Sequence, residues 1–332
     1  MYKRQTGAQA TDEPSLRRHF GERDDLLPLW IAEPYVPLAP AVVEAVTDRA
    51  AMGWYGYEGR PDIDGAFRDW MLRRHGWSLD GLETIVSPSL GTSIGVLIDL
   101  HSEPGDGVIL QSPVFTDFKP LVVSAERIVA KAPLALVDDR YEMDFDALER
   151  AAADASMLIL CNPHNPVGRA WGPDDLRRVA EICAEHDVFV IADEIHADLA
   201  LPGHRFTPFA EVVGDTGVAW AALHGPIKTF GLAGLADTFI VTSHEATVGA
   251  FGARSSQLHL TRNNVVGLAA TYAAYTDAEG WVDELLEVVA GNVRLLVEGL
   301  PDPIRLIEPD ATYLAWLDLR GLGLEVPELA GG

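Results

Sequence analysis

Lysine is scarce in this chain. Of its 25 Lys and Arg side chains only four are lysines: Lys3, Lys119, Lys131 and Lys228. The distinction matters, because a guanidinium cannot form an imine whereas a desolvated amine is a nucleophile at neutral pH. Lys3 lies in a polar N-terminal stretch, Lys119 in a helical segment expected at the surface, and Lys131 ends an apolar run. Lys228 is different: it sits in the loop His224-Gly225-Pro226-Ile227-Lys228-Thr229, after the apolar run Gly217–Ala222. Two earlier apolar runs also end in capable side chains. Met157–Cys161 leads into Asn162-Pro163-His164-Asn165-Pro166-Val167-Gly168, and Val188–Ala192 into Asp193-Glu194-Ile195-His196. An amide, a carboxylate and an amine thus follow three successive runs. A carboxylate such as Asp193 can cap a helix or join a salt bridge. It can also stabilise a protonated ring nitrogen, which then draws electrons from a bound substrate. Asn165 can build a turn, as Asn-Pro pairs do, or donate to a ligand oxygen.

These residues need a scaffold that brings three strand ends side by side. Unbroken apolar runs suit strands buried on both faces, as in a parallel sheet under helices. Gly107–Gln111, Ile128–Lys131 and Thr238–Thr242 are further strands by the same criterion. Between the runs lie helical patterns at Ala41–Met52, Asp62–His75 and Asp174–His186. The last has Pro173 at its first position, Asp174 and Asp175 at the positive end of its dipole, and Leu176, Val179, Ala180 and Cys183 on one face. Strand, helix, strand at this spacing predicts an α/β fold with a mostly parallel sheet flanked by helices. Ligands on such sheets bind beyond the carboxyl ends of the strands. From about residue 262 the texture changes, to long helices over Asn263–Tyr275 and Trp281–Leu300 and an alternating strand pattern over Thr312–Asp318. The expected organisation is an N-terminal arm over residues 1–40 that forms part of a small lobe, a large domain over 41–275, and a smaller α+β lobe over 276–332. With so little sheet before Gly332, that lobe reads as truncated.

Composition removes several classes of function. The net charge is −25 over 332 residues, which opposes binding to nucleic acid or to an anionic membrane surface. No apolar stretch reaches the roughly 18 residues of a membrane span. Met1–Thr11 lacks an apolar secretion core, so the expected compartment is the cytoplasm. The two cysteines, Cys161 and Cys183, lie in apolar runs and read as buried hydrophobes, not as a disulfide or zinc set. Asp193-Glu194-Ile195-His196 spells a helicase box, but no phosphate loop accompanies it.

In combination, Asn162-Pro163-x-Asn165-Pro166-x-Gly168, then Asp193-Glu194-Ile195-His196, then Lys228-Thr229-Phe230-Gly231-Leu232-Ala233-Gly234-Leu235 resemble the fold type I pyridoxal 5'-phosphate (PLP) enzymes. The branch they resemble is the cystathionine β-lyase-like C–S lyases, grouped with class I/II aminotransferases. Pro28–Ala32, Gly56-Tyr57, Glu103–Asp106, Ser112–Phe115 and Thr312–Trp316 match it too, so the resemblance covers residues 24–322. It implies a PLP-transferase fold with PLP as cofactor. Lys228 would form the Schiff base and shuttle the substrate's α-proton, Asp193 would pair with the pyridine nitrogen, and Asn165 and His196 would serve the ring oxygen. Phe115 would stack on the ring. The Ser89-Leu90-Gly91 turn, opening a helix at Thr92, would meet the phosphate with its N–H groups. Tyr57 would reach the partner's site in a homodimer whose active sites lie at the subunit interface.

The implied reaction is β-elimination from cystathionine or a cysteine S-conjugate, a small amino-acid substrate, giving thiol, pyruvate and ammonia. Amino-acid transamination, or a catalytically impaired or non-enzymatic protein of this fold, are the alternatives. Three departures bear on the choice. The family's Ser-x-Ser before the lysine is Gly225-Pro226-Ile227 here, so His224 and Thr92 are the candidates to compensate at the phosphate. Its Ala-Asp-Met-Asp reads Ala32-Glu33-Pro34-Tyr35. The family arginine that clamps the substrate carboxylate belongs to a segment after Gly332, and Arg320 does not occupy its place.

Overall fold

The computed structural model describes residues 9–22, 26–57, 62–235, 237–260 and 264–323. Helix α1 (Glu13–Phe20) precedes α2 (Pro40–Ala51) and α3 (Ile63–His75). The sheet region follows with β1 (Glu83–Ser87), α4 (Leu90–His101), β2 (Gly107–Leu110), α5 (Phe118–Ser124) and β3 (Ile128–Lys131). A hairpin of β4 (Ala135–Val137) and β5 (Arg140–Glu142) leads to α6 (Phe145–Ala152), β6 (Ala155–Cys161), α7 (Pro173–Glu185) and β7 (Phe189–Asp193). Then come α8 (Phe209–Val213), β8 (Trp220–His224), β9 (Thr238–Thr242) and α9 (Glu245–Leu258). The chain continues through α10 (Val265–Asp277), α11 (Glu279–Gly299), β10 (Arg305–Ile307) and β11 (Trp316–Asp318).

Seven strands form one sheet in the order β1-β9-β8-β7-β6-β2-β3. The pairs β8–β7, β7–β6, β6–β2 and β2–β3 are parallel, and only β9 runs against its neighbours. The expected mostly parallel α/β fold is therefore present. Its central strands are covered on both sides: every residue of β7, β8 and β9 is buried. Helices close both faces because each carries one apolar stripe. In α7, Leu176, Val179, Ala180, Ile182 and Cys183 are buried while Asp174 and Asp175 sit in the first turn, where the helix dipole favours negative charge. In α3, Asp62 caps the first turn by accepting from Gly65 N, and Gly76 ends the helix in the left-handed region.

Two expected strands differ from the observed ones. The run predicted over Gly217–Ala222 is strand only from Trp220 to His224, because Gly217 has φ +79 and turns the chain before it enters the sheet. Of the pattern Thr312–Asp318, only Trp316–Asp318 pairs as a strand, with β10. Thr312 takes φ +71, and the backbone around it is committed elsewhere. Asp310 N and Ala311 N donate to Gly168 O, and Thr312 N donates to Leu199 O. A buried ion cluster fixes this crossing, in which Asp310 accepts from Arg169 and, at 3.0 Å, from Arg140.

Candidate active site

Strands β6, β7 and β8 are neighbours, and their carboxyl ends lie level. Cys161 opposes Asp193, and Asp193 opposes Leu223. The ladder continues one step past the strands, with Asn162 N donating to Asp193 O at 2.9 Å and Glu194 N to Leu223 O at 3.0 Å. The topology thus sets the Asn165 turn, the Asp193 carboxylate and the Lys228 loop at one sheet edge.

Asp193 is 3% exposed. Its Oδ1 accepts from Ile195 N at 3.2 Å. Burial pushes its pKa up to about 7, although the Ile195 hydrogen bond and the Lys228 charge both oppose the rise. Lys228 is half-buried, and its Nζ donates to Ala32 O at 2.9 Å. Burial holds its amine below the ordinary value against the opposing charges of Asp193, Glu33 and Asp117. The amine therefore surrenders its proton more readily than a surface lysine does.

Asn165 is buried, and its backbone N donates to Cys161 Sγ at 3.3 Å, while that thiol lies 3.4 Å from its own acceptor, Pro163 O. Burial, reinforced by the Asp193 charge, raises the Cys161 thiol well above its usual range, so it stays protonated. His196 is 1% exposed. Burial, followed by the Lys228 charge, lowers its pKa to about 3, so its imidazole is neutral. Its Nδ1 has no hydrogen-bond partner among the described residues, an arrangement that costs free energy unless a ligand supplies one. The Tyr313 ring lies 6.2 Å from that of His196, and the Tyr313 hydroxyl is 3.2 Å from both Ala32 O and Lys228 O. Burial raises the Tyr313 pKa, with the charge of Glu33 adding to it, so the hydroxyl remains a donor.

Phe115 is half-buried and meets Phe118 edge to face at 5.4 Å. Its loop is tied to the Asn165 turn where His164 Nε2 lies 2.9 Å from Pro113 O. Ser89 is the N-cap of α4, which starts at Leu90 and not at Thr92, and its Oγ accepts from Thr92 N at 3.2 Å. Leu90 and Gly91 form the first turn, where backbone N–H groups point out of the helix. Tyr57 is 86% exposed, and Met52, Trp54 and Tyr55 in the same segment are exposed as well.

His224 does not occupy the phosphate side where it was expected to compensate. It belongs to β8, is 2% exposed, lies 3.0 Å from Glu194 Oε2, and is enclosed by the rings of Phe67, Trp77 and Phe206. The cause is strand alternation: ending β8 at His224 turns its side chain to the face opposite that of Leu223. Sequence reasoning also missed Ala32 as a functional position. Its contribution is a backbone oxygen, which no residue type announces.

With this geometry in view, comparison with known proteins assigns the class. Residues 25–330 match the family model for aminotransferase class I and II, and the chain belongs to that family. Cystathionine beta-lyase PatB of Bacillus subtilis is 37% identical over 313 residues, covering 92% of this chain and 80% of that protein. The PLP-containing crystal structure of cystalysin from Treponema denticola superposes with a TM-score of 0.87 at 25% identity, covering 98% of this chain and 84% of that one. The PLP-bound C–S lyase of Staphylococcus hominis, in complex with L-cycloserine, gives a TM-score of 0.87 at 26% identity, covering 96% and 83%.

Proposed function

We propose that this chain is a PLP-dependent carbon–sulfur β-lyase that cleaves cystathionine or a cysteine S-conjugate to thiol, pyruvate and ammonia. The observation that carries the reading is the placement of a buried carboxylate, Asp193, at the end of β7 and of the partly buried amine of Lys228 in the loop that leaves the neighbouring strand β8. The likeness to a cystathionine β-lyase and to two solved PLP enzymes supports it.

The residues fit the cofactor. The orphaned Nδ1 of His196 and the donor set of Lys228, Asp193 and Asn165 suit its aldehyde, ring nitrogen and phenolic oxygen in turn. When bound, PLP supplies a carbonyl that condenses with amines and a ring that withdraws electrons from the substrate's α-carbon. Asp193 would pair with the ring nitrogen, because a buried carboxylate is stabilised by a cation and by little else. Asn165 and the neutral His196 serve the ring oxygen. Phe115 would stack on the ring, and the N–H groups of Ser89, Leu90 and Gly91 at the start of α4 would receive the phosphate. Lys228 Nζ accepts the α-proton. Ala32 O then holds the amine at the site, since it already accepts from Nζ. The same amine hands a proton to the leaving sulfur.

The working form is a homodimer with active sites at the subunit interface, in the cytoplasm. The exposed apolar side chains of Leu27, Leu29, Val43, Met52, Trp54, Tyr55 and Tyr57 support the dimer, with Tyr57 contributed to the partner's site. No helix among the described residues is long and apolar enough to cross a membrane.

The test is direct. The protein purified with PLP should show the visible absorption band of a lysine-linked cofactor, and Lys228→Ala should abolish it. Cystathionine should then release pyruvate. A band that survives in Lys228→Ala sinks the lysine assignment. Keto-acid exchange without pyruvate identifies an aminotransferase, and a loaded protein inert in both assays identifies a non-catalytic member of the fold.

A further inference from the structure

We propose that Asp198 is a positioning residue: through Thr229 it fixes the turn that carries Lys228, independently of any bound cofactor. The proposal rests on Lys228 being the Schiff-base lysine. Asp198 lies on a single 3-10 turn, Ala197–Leu199, five residues beyond Asp193 at the end of β7. Its carboxylate is buried and accepts three hydrogen bonds. Trp70 Nε1 at 2.9 Å and His75 Nε2 at 2.8 Å reach Oδ1 from α3, and Thr229 Oγ1 at 2.8 Å reaches Oδ2. Burial alone would raise its pKa, but the hydrogen bond and charge of His75, with the bonds from Trp70 and Thr229, more than reverse this, so the group stays ionised. A buried carboxylate satisfied by three donors from two separate segments is a rigid joint, because moving any one segment leaves charge unpaired.

Thr229 is the residue next to Lys228, and it is fully buried. The turn is closed on the same inner side. Phe230 N donates to Pro226 O and Leu232 N to Ile227 O, and the Phe230 ring packs on Trp70 and Trp281 at 5.7 and 5.9 Å. No hydroxyl is present at positions 225–227, where Gly225, Pro226 and Ile227 stand. Adding a side chain at 225 would be crowded, since a Cβ there would meet Asp237 O at 3.1 Å. The one hydroxyl of the segment, on Thr229, points inward to Asp198. The turn is therefore tethered to the protein core. A tether of this kind sets where Nζ sits relative to Ala32 O and Asp193 before the cofactor arrives.

The test compares Thr229→Val, which removes the hydroxyl at constant shape, with Thr229→Ser, which restores it. In the cofactor-free protein, hydrogen exchange at Phe230 and Leu232 should accelerate about tenfold in Thr229→Val, the factor that accompanies loss of one hydrogen bond to a charged group. Thr229→Ser should exchange like the parent. In the loaded protein, Thr229→Val should lower kcat about tenfold with KM unchanged, because the hydroxyl touches no substrate, and should shift the spectroscopic pKa of the visible band. Unchanged exchange and kcat in Thr229→Val overturns the proposal, as does a Thr229→Ser protein impaired as severely as Thr229→Val. A fall in melting temperature with kcat and the spectroscopic pKa unmoved reduces Asp198 to a structural group and overturns it too. A parent protein without the visible band refutes the Lys228 reading instead, and the exchange comparison then decides the tether alone.

Discussion

Replacing Asp193 with asparagine should stabilise the cofactor-free protein at pH 8, even though it removes the carboxylate proposed to pair with the cofactor. In the fold, burial raises this carboxyl from 3.8 to about 7. Between those two values the unfolded chain is ionised while the folded one holds a proton. Stability therefore falls as pH rises through that window, by about 1.4 kcal/mol per unit, and levels off above pH 7. A displacement of about three units corresponds to about 4 kcal/mol of strain at pH 8. Asparagine removes the charge and keeps an oxygen for Ile195 N, but adds a buried N–H2 group that costs about 1–3 kcal/mol where it finds no acceptor. The net gain at pH 8 is then about 1–3 kcal/mol. Urea unfolding of both cofactor-free proteins from pH 4 to pH 8 measures it. The stability of Asp193→Asn relative to the parent should climb from pH 4 to about pH 7 and then level off. A difference that stays flat, or that shrinks toward pH 8, would refute the claim that Asp193 is held against its own charge. Loading with PLP should reverse the ranking, because a cation at the ring nitrogen stabilises the carboxylate and not the amide.

Two further outcomes follow from the packing. His101 stacks on Phe189 at 3.7 Å, and burial, aided by the His244 charge, lowers its pKa to about 4. Its contribution to stability is complete above pH 6.5 and disappears as pH falls through about 4. His101→Phe should therefore flatten the acid limb of the stability curve by about 1–2 kcal/mol after solvent screening, as read by chemical denaturation at pH 4 and pH 7. Gly168 has φ +72, and a Cβ there would lie 2.4 Å from Pro309 Cβ. Gly168→Ala should cost about 2–4 kcal/mol and displace the segment that carries Tyr313, with a lower melting temperature and weaker PLP retention as the readouts.

That Lys228, Asp193 and Asn165 follow the ends of neighbouring strands was legible in the sequence, because a parallel sheet places consecutive strand ends side by side. The same unbroken apolar runs concealed where strands begin. Without alternation nothing marks the register, and β8 was placed three residues early, which put His224 in a loop when it is a strand residue facing Glu194. The alternation over Thr312–Asp318 misled in the opposite way: its first residues lie across Gly168 and Leu199 in irregular pairing, and only its last three join a strand. Asp198 was hidden because its role depends on Trp70 and His75, which lie 128 and 123 positions upstream. An acid two residues beyond a candidate site residue reads as solvated until its distant donors are located. Ala32 was hidden for a simpler reason, since backbone oxygens are common to every residue.

The shared oxygen of Ala32 has a consequence for how the protein is made. Lys228 and Tyr313 both reach it, across 196 and 281 positions of chain. Three parts of one hydrogen-bonded cluster are thus delivered at the start, in the middle and near the end of synthesis. A nascent chain can complete its seven-stranded sheet soon after Thr242 emerges, yet it still lacks the tyrosine that closes the lysine's surroundings. Contacts of such long sequence separation form late and slowly. Cofactor capture by a growing chain would therefore meet an open site, and a finished pocket certifies that translation has passed Tyr313.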